Sequence, residues 1–132
     1  MSHKENLLQA IRHQSPAWVP NGMESEISIS SPVVERPAQA GKDAFGVDWS
    51  LEQDTEGGTY PTHNGHPITD LSCWREQITM PNLDKIDWSS VKAQADEVDR
   101  DRCIVSGFVE MGLFERSYLL LGMEEALVSY LT

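Results

Sequence analysis

The sequence is poor in basic residues and in cysteine. It has 10 Lys and Arg against 21 Asp and Glu, which gives a formal net charge of -11. Because such a charge repels phosphate backbones, we expect no nucleic-acid partner. The two cysteines, Cys73 and Cys103, lie far apart, whereas a disulfide framework in so short a chain normally uses more. Reduced thiols and a cytoplasmic location are therefore predicted.

Long hydrophobic runs are also missing. No segment approaches the roughly 20 apolar residues that span a bilayer, and the N-terminus has no apolar stretch typical of a secretory signal. We therefore expect no membrane partner. The apolar fraction of 39% lies below the roughly 45–50% of typical soluble domains. This low value indicates a chain rich in surface, or one whose apolar faces are covered by something else.

The patterns that are present alternate between helix and strand. Apolar spacing and capping signals predict helices at 2–13, 70–76, 84–98, 113–121 and 123–131. Alternating or continuous apolar runs predict strands at 17–20, 24–30, 45–49 and 103–109. Residues 50–70 are rich in Gly and Pro and predict turns. This order of elements indicates an α/β fold.

The last 30 residues carry the strongest apolar signal. Residues 103–109 form a run typical of a strand that is buried on both faces of a parallel sheet. Apolar side chains in the helices that follow need a covering surface, which one or two strands cannot supply. These side chains are Tyr118, Leu119, Leu120, Leu121, Leu127, Val128 and Leu131. We therefore expect an incomplete fold.

Three stretches, in this order, resemble the uroporphyrinogen decarboxylase and corrinoid methyltransferase superfamily. They are ENLLQAIRH (5–13) with WVP (18–20), ITDLSCWR (68–75) followed by MPNLDKIDW (80–88), and GLFERSYLLLG (112–122). The first resembles the opening helix and first strand of the superfamily. The second is similar to a segment of its methyltransferase-like branch, and the third resembles its glycine-phenylalanine turn with the helix after it.

The resemblance implies the N-terminal part of a (β/α)8 TIM-type barrel, whose full length is typically about 250 residues. Residues 1–20 would be the opening helix and first strand, 21–102 an insertion with helices, and 103–132 a barrel strand with the following helices. The parent protein would move a methyl group between a small substrate and a corrinoid protein. This chain would be inactive alone and bind no cofactor by itself. The parent would use corrinoid through its partner protein, and zinc in some members.

Two alternatives to the methyltransferase stay open. A porphyrinogen decarboxylase is disfavoured, because that branch carries arginines soon after its first strand to hold acidic side chains. Here residues 21–26 contain two glutamates and no arginine. The other alternative is a non-enzymatic interaction module or a subunit of a split protein. Its partner would be the barrel remainder or a second copy of this chain.

The candidate substrate-binding residues are Glu24, Glu110 and Phe114. Barrel active sites lie at the carboxyl ends of strands, and both glutamates follow a predicted strand. Phe114 lies in the glycine-phenylalanine turn. The catalytic residues are unknown and are expected beyond residue 132. His63 and His66 suggest a metal site only weakly, because no third ligand lies at a suitable spacing, so no metal site is predicted.

Overall fold

A computed structural model describes residues 1–51 and 58–131 and has a mixed α/β fold. Its helices are α1 (His3–Ile11), α2 (Gly22–Ser25), α3 (Trp74–Gln77), α4 (Ser89–Glu97), α5 (Leu113–Leu121) and α6 (Met123–Ser129). Its strands are β1 (Glu26–Ser30), β2 (Gly41–Lys42), β3 (Asp48–Leu51), β4 (Thr59–Pro61) and β5 (Ile104–Phe108). Short 3-10 turns occur at Leu71–Cys73 and Leu83–Lys85.

The chain divides into two compact units. Unit 1 comprises Met1–Pro32 and Asp87–Val109, and unit 2 comprises Val33–Ile86 and Glu110–Thr132. Unit 1 therefore contains α1, α2, β1, α4 and β5, and unit 2 contains the remaining helices and strands. Each unit is built from two separate stretches of chain.

The sheet of unit 1 pairs β1 with β5 in parallel, in a register that runs from Glu26 opposite Ile104 to Ser30 opposite Phe108. Helix α4 lies between these strands in the chain and packs against β1. The predicted strand at 103–109 is thus confirmed. The strand predicted at 24–30 is confirmed from Glu26 onward, because Glu24 and Ser25 belong to α2. The expected burial of both faces is not seen among the described residues, because β5 is half-buried at Ile104 and exposed at Phe108.

Helix α1 begins at the capping box that the sequence predicts. The Ser2 hydroxyl accepts from the Glu5 backbone N–H, and the Glu5 carboxylate accepts from the Ser2 N–H. The strand predicted at 17–20 is wrong. The backbone there bonds to a side chain instead, because Asn6 accepts from the Ala17 N–H at 2.7 Å and donates to the Trp18 carbonyl at 2.9 Å.

Unit 2 contains a three-stranded antiparallel sheet in the order β2-β3-β4, which the sequence did not predict. The strand predicted at 45–49 is shifted, because Gly46 adopts a φ of 88° in a turn and β3 starts only at Asp48. Val47 and Trp49 are buried against Leu119 of α5 and form the centre of the core.

The other helices differ from their predictions mainly at their ends. The helix predicted at 84–98 begins only at Ser89, because the Asp87 carboxylate accepts from the Ser89 N–H and residues 83–85 form a 3-10 turn. The predicted break at Gly122 is confirmed, since this residue has a φ of 91° and separates α5 from α6.

Candidate functional site

The structure places Glu24 at a different position from the one expected. It lies in α2, before β1, so it does not follow a strand. Its carboxylate is half-exposed, and Oε2 lies 3.1 Å from Nδ1 of His3. The rationale that put Glu24 at a carboxyl end of the sheet was the strand at 17–20, and that strand is absent from the described structure.

Glu110 does follow a strand, since β5 ends two residues earlier, and its side chain is exposed. Phe114 lies in the first turn of α5 and is half-exposed. Its ring contacts Tyr118 edge-on, with centroids 5.5 Å apart, and stacks on Tyr130 at 6.3 Å. Glu110 and Phe114 thus both belong to unit 2, whereas Glu24 belongs to unit 1.

A buried ion cluster in unit 2 was missed by the sequence analysis. Arg116 of α5 donates through Nη1 to Asp43 Oδ2 at 2.8 Å, and its Nη2 lies 3.5 Å from Glu35 Oε2. The Asp43 side chain is fully buried, and those of Arg116 and Glu35 are only 13% and 10% exposed. The guanidinium also lies over the Phe45 ring, 4.0 Å from its centroid.

The carboxylates of this cluster accept hydrogen bonds from backbone N–H groups as well as contacting the arginine. Asp43 Oδ1 accepts from the backbone N–H groups of Phe45 and Val47, both at 2.9 Å, and this fixes the turn before β3. Glu35 Oε2 accepts from the Met111 N–H at 3.0 Å. Because each charge already has partners, the cluster positions loops and is unsuited to act as a free acid or base.

One sequence signal points to this cluster. Arg116 is the only basic residue of α5, whose sequence LFERSYLLL is otherwise mostly apolar. If such an arginine is buried with the apolar face of its helix, it requires an anionic partner. The partners themselves could not be identified locally, since Asp43 lies 73 residues and Glu35 81 residues away in the chain.

A cavity of about 560 Å³ in unit 2 lies beside the junction of α5 and α6. Its wall includes His63, His66, Tyr118, Gly122, Glu124 and Glu125. His66 packs tightly on the junction, because a Cβ on Gly122 would lie 3.2 Å from the His66 ring. The cavity therefore combines an apolar floor with imidazole and carboxylate groups that can exchange protons or hydrogen bonds with a small ligand.

His63 and His66 share this cavity but lack further metal ligands. Within residues 1–51 and 58–131, no group of three or more His, Cys, Asp and Glu side chains is arranged to hold a metal ion. The geometry of the described residues thus adds nothing to the weak metal hypothesis.

Comparisons of the chain with models of known families, with curated proteins and with solved structures find no match. Among the described helices, none is long and apolar enough to cross a membrane.

Proposed function

We propose that this chain supplies the first strands of a (β/α)8-barrel methyltransferase that moves a methyl group between a small substrate and a corrinoid protein. The observation that carries the proposal is the β1-α4-β5 arrangement of unit 1. Its two strands are parallel, and α4 packs on β1 and precedes β5 in the chain, after the insertion Val33–Ile86. This is the repeating element of such barrels. The three family-like stretches of sequence support the same proposal.

Unit 2 supports the proposed function through the chain segments that follow β1 and β5. Glu35 follows β1 and Met111 follows β5, and the hydrogen bond between them joins the two loops. In barrel enzymes, the loops after the strands build the active site. The Arg116 cluster would then fix the shape of the loops that receive substrate. Glu110 and Phe114, which lie in the second of these segments and its helix, remain the proposed substrate contacts.

Exposed apolar side chains support a larger assembly. Val19, Met23, Leu113 and Leu131 are each about 90% exposed. Such side chains favour burial against further protein, at about 25 cal/mol per Å² of covered apolar surface. The proposed cover is the remainder of the barrel. The corrinoid cofactor, and zinc where the parent uses it, would be held outside this chain, in a cytoplasmic protein.

Reconstitution tests this function. The chain is mixed with the product of an adjacent reading frame that encodes later barrel strands, and with a methylated corrinoid protein. A small thiol is added as the methyl acceptor, and transfer of the methyl group from cobalt to its sulfur is followed through the visible absorbance of the corrinoid. We expect turnover only when all three proteins are present. A stable complex without turnover would favour the interaction module, and robust turnover by the chain alone would contradict the proposal.

A variant in β1 makes this test more specific. Ile29 is the buried apolar residue of β1, and Ile29→Asp should prevent both assembly and turnover. Ile27 on the same strand is 41% exposed, so Ile27→Ser provides a control. This variant should assemble better than Ile29→Asp and closer to the level of the unaltered chain. Equal loss in both variants would show that the burial of Ile29 itself is not what assembly requires, because Ile27 and Ile29 lie on the same face of β1.

A further inference from the structure

Unit 2 contains a second, smaller cavity of about 200 Å³. Its wall includes Arg36, Trp49, Tyr60, Met111 and Tyr118. Because pockets for drug-sized molecules hold roughly 300–1,000 Å³, this cavity fits a smaller ligand. One cationic group thus meets aromatic and thioether surfaces in a small space.

Arg36 provides a positive charge that the described carboxylates do not neutralise. Its Nε and Nη2 groups donate to Oγ1 and to the carbonyl of Thr59, and Thr59 Oγ1 in turn donates to the Pro37 carbonyl at 2.6 Å. These bonds fix the guanidinium but use only part of its five N–H donors. Among residues 1–51 and 58–131, no carboxylate forms an ion pair with Arg36.

Trp49 places its indole beside this guanidinium in the wall of the cavity. Its side chain is 4% exposed, and its indole Nε1 is buried without a hydrogen-bond partner in the described part of the chain. The Arg36 guanidinium lies over this indole, 5.7 Å from the ring centroid. Because Trp49 lines the cavity beside Arg36, its indole N–H signal should report a ligand that binds there.

The rest of the wall is suited to a flat apolar group. Tyr60 and Tyr118 offer aromatic rings, and Met111 offers a polarisable thioether that packs well on aromatic surfaces. A ligand with only a negative charge would leave this surface uncovered, and a purely apolar ligand would leave the Arg36 guanidinium without an anionic partner.

We propose that this cavity binds a small monocarboxylate with a flat apolar body, of the size of benzoate. The carboxylate accepts from Arg36, and the flat body packs against Tyr60, Met111 and Tyr118. This inference goes beyond methyl transfer and does not rest on it, because binding to the isolated chain requires neither a corrinoid protein nor further barrel strands.

Titration with benzoate tests the proposal on the chain labelled with ¹⁵N at its four tryptophan indoles. We expect one indole N–H signal to shift saturably, and Trp49→Phe should remove that signal. Benzamide, which has the same shape without the charge, should bind at least about tenfold more weakly. Sulfate, which has charge without a flat body, should also bind more weakly.

Variants of the arginine complete the test. Arg36→Gln should weaken benzoate binding at least about tenfold. Arg36→Lys should lose less affinity for benzoate, because it keeps the positive charge. Arg75→Gln is the matched control, since Arg75 also lies over a tryptophan, 4.3 Å from the Trp74 ring centroid, and does not line the cavity. It should bind benzoate unchanged.

Several outcomes would overturn the proposal. These are equal binding of benzamide or sulfate, unchanged binding by Arg36→Gln, an equal loss in Arg75→Gln, and a shift confined to another indole. If Trp49→Phe does not fold, the shifted signal is assigned by elimination with the Phe variants of Trp18, Trp74 and Trp88. A signal that disappears in one of those variants would also contradict the proposal.

Discussion

The two units bury different kinds of side chain. In unit 1, the described residues with the least exposure are the polar Asn6 and Ser25, and Ile29 is the only buried apolar side chain described there. Unit 2 buries more apolar side chains and adds the ion cluster of Arg116. Its buried apolar residues are Val47, Trp49, Ile68, Leu119 and Ala126.

This difference determines how each unit should respond to mutation. Apolar burial is non-directional and is shared among many contacts, whereas a hydrogen bond depends on one donor and one acceptor. Unit 1 should therefore be sensitive to the loss of single hydrogen-bonding side chains. Unit 2 should be sensitive where a buried charge loses its partner.

The largest effect is expected at Arg116. Arg116→Met leaves the carboxylates of Asp43 and Glu35 buried without their cation, and breaking a buried pair in this way costs about 3–5 kcal/mol. Urea denaturation followed by circular dichroism measures the loss. The exposed Lys92–Asp96 pair is the control, and Lys92→Met should cost no more than about 0.5 kcal/mol. Similar losses in the two variants would remove the proposed distinction between buried and exposed pairs.

The next effect is expected at Asn6 in unit 1. Asn6→Ala leaves the Ala17 N–H and the Trp18 carbonyl without their partner, at a cost of about 1–3 kcal/mol. Hydrogen exchange should accelerate at the Ala17 amide while amides of the unit 2 core keep their protection. Gln9 on the same helix is a contrasting control, because its Oε1 is buried with no hydrogen bond in the described part of the chain. Gln9→Met should therefore be neutral or stabilising, and a loss equal to that of Asn6→Ala would contradict this account of unit 1.

A smaller effect is expected at the start of α1. Ser2→Ala removes the hydroxyl that accepts from the Glu5 N–H, and losing an N-cap costs about 0.5–2 kcal/mol. The measurement is hydrogen exchange across α1. Ser2→Asp retains a capping oxygen and should restore most of the protection. If the two variants lose equal protection, capping does not stabilise this helix.

The smallest effect concerns pH. The hydrogen bond from the Ser2 backbone N–H lowers the pKa of Glu5 below its ordinary value of 4.5. Because the pKa is lowered in the folded chain, the charged carboxylate stabilises the helix fully at pH values above the ordinary pKa. This contribution is lost as pH falls through the lowered pKa. Glu5→Gln should abolish this acid dependence in α1. An NMR titration that finds the Glu5 pKa at or above 4.5 would contradict it.

The same type of contact in unit 2 provides a comparison. The hydroxyl and backbone N–H of Ser72 lower the pKa of Asp70. Ser72→Ala should therefore raise the pKa of Asp70 and leave that of Glu5 unchanged.

Local signals in the sequence predicted several elements well. The capping box at Ser2 and the break at Gly122 are decided by a few neighbouring residues, and both are found in the structure. The strand at 26–30 follows from alternation of polar and apolar residues. The prediction of a strand at 17–20 failed because the backbone N–H of Ala17 bonds to the side chain of Asn6. A partner eleven residues away leaves no periodic pattern in the sequence at 17–20.

Candidate site residues were harder to predict. Glu110 and Phe114 were selected for their places after a strand, and their binding roles remain predictions. The cluster of Glu35, Asp43 and Arg116 has stronger geometry, but its members are far apart in the chain. The antiparallel sheet was missed for a related reason, since β2 and β4 have only 2 and 3 residues and are defined by their pairing with β3.

The sequence by itself determined the acidic charge, the helices with clear caps and apolar stripes, and the apolar strand at 103–109, because each depends on residues close together in the chain. Only the tertiary structure decided that, of the few basic residues, Arg116 is buried between two carboxylates and Arg36 lies over the Trp49 indole. The physical reason is that burial and ion pairing depend on distances in space, which composition and spacing along the chain do not contain.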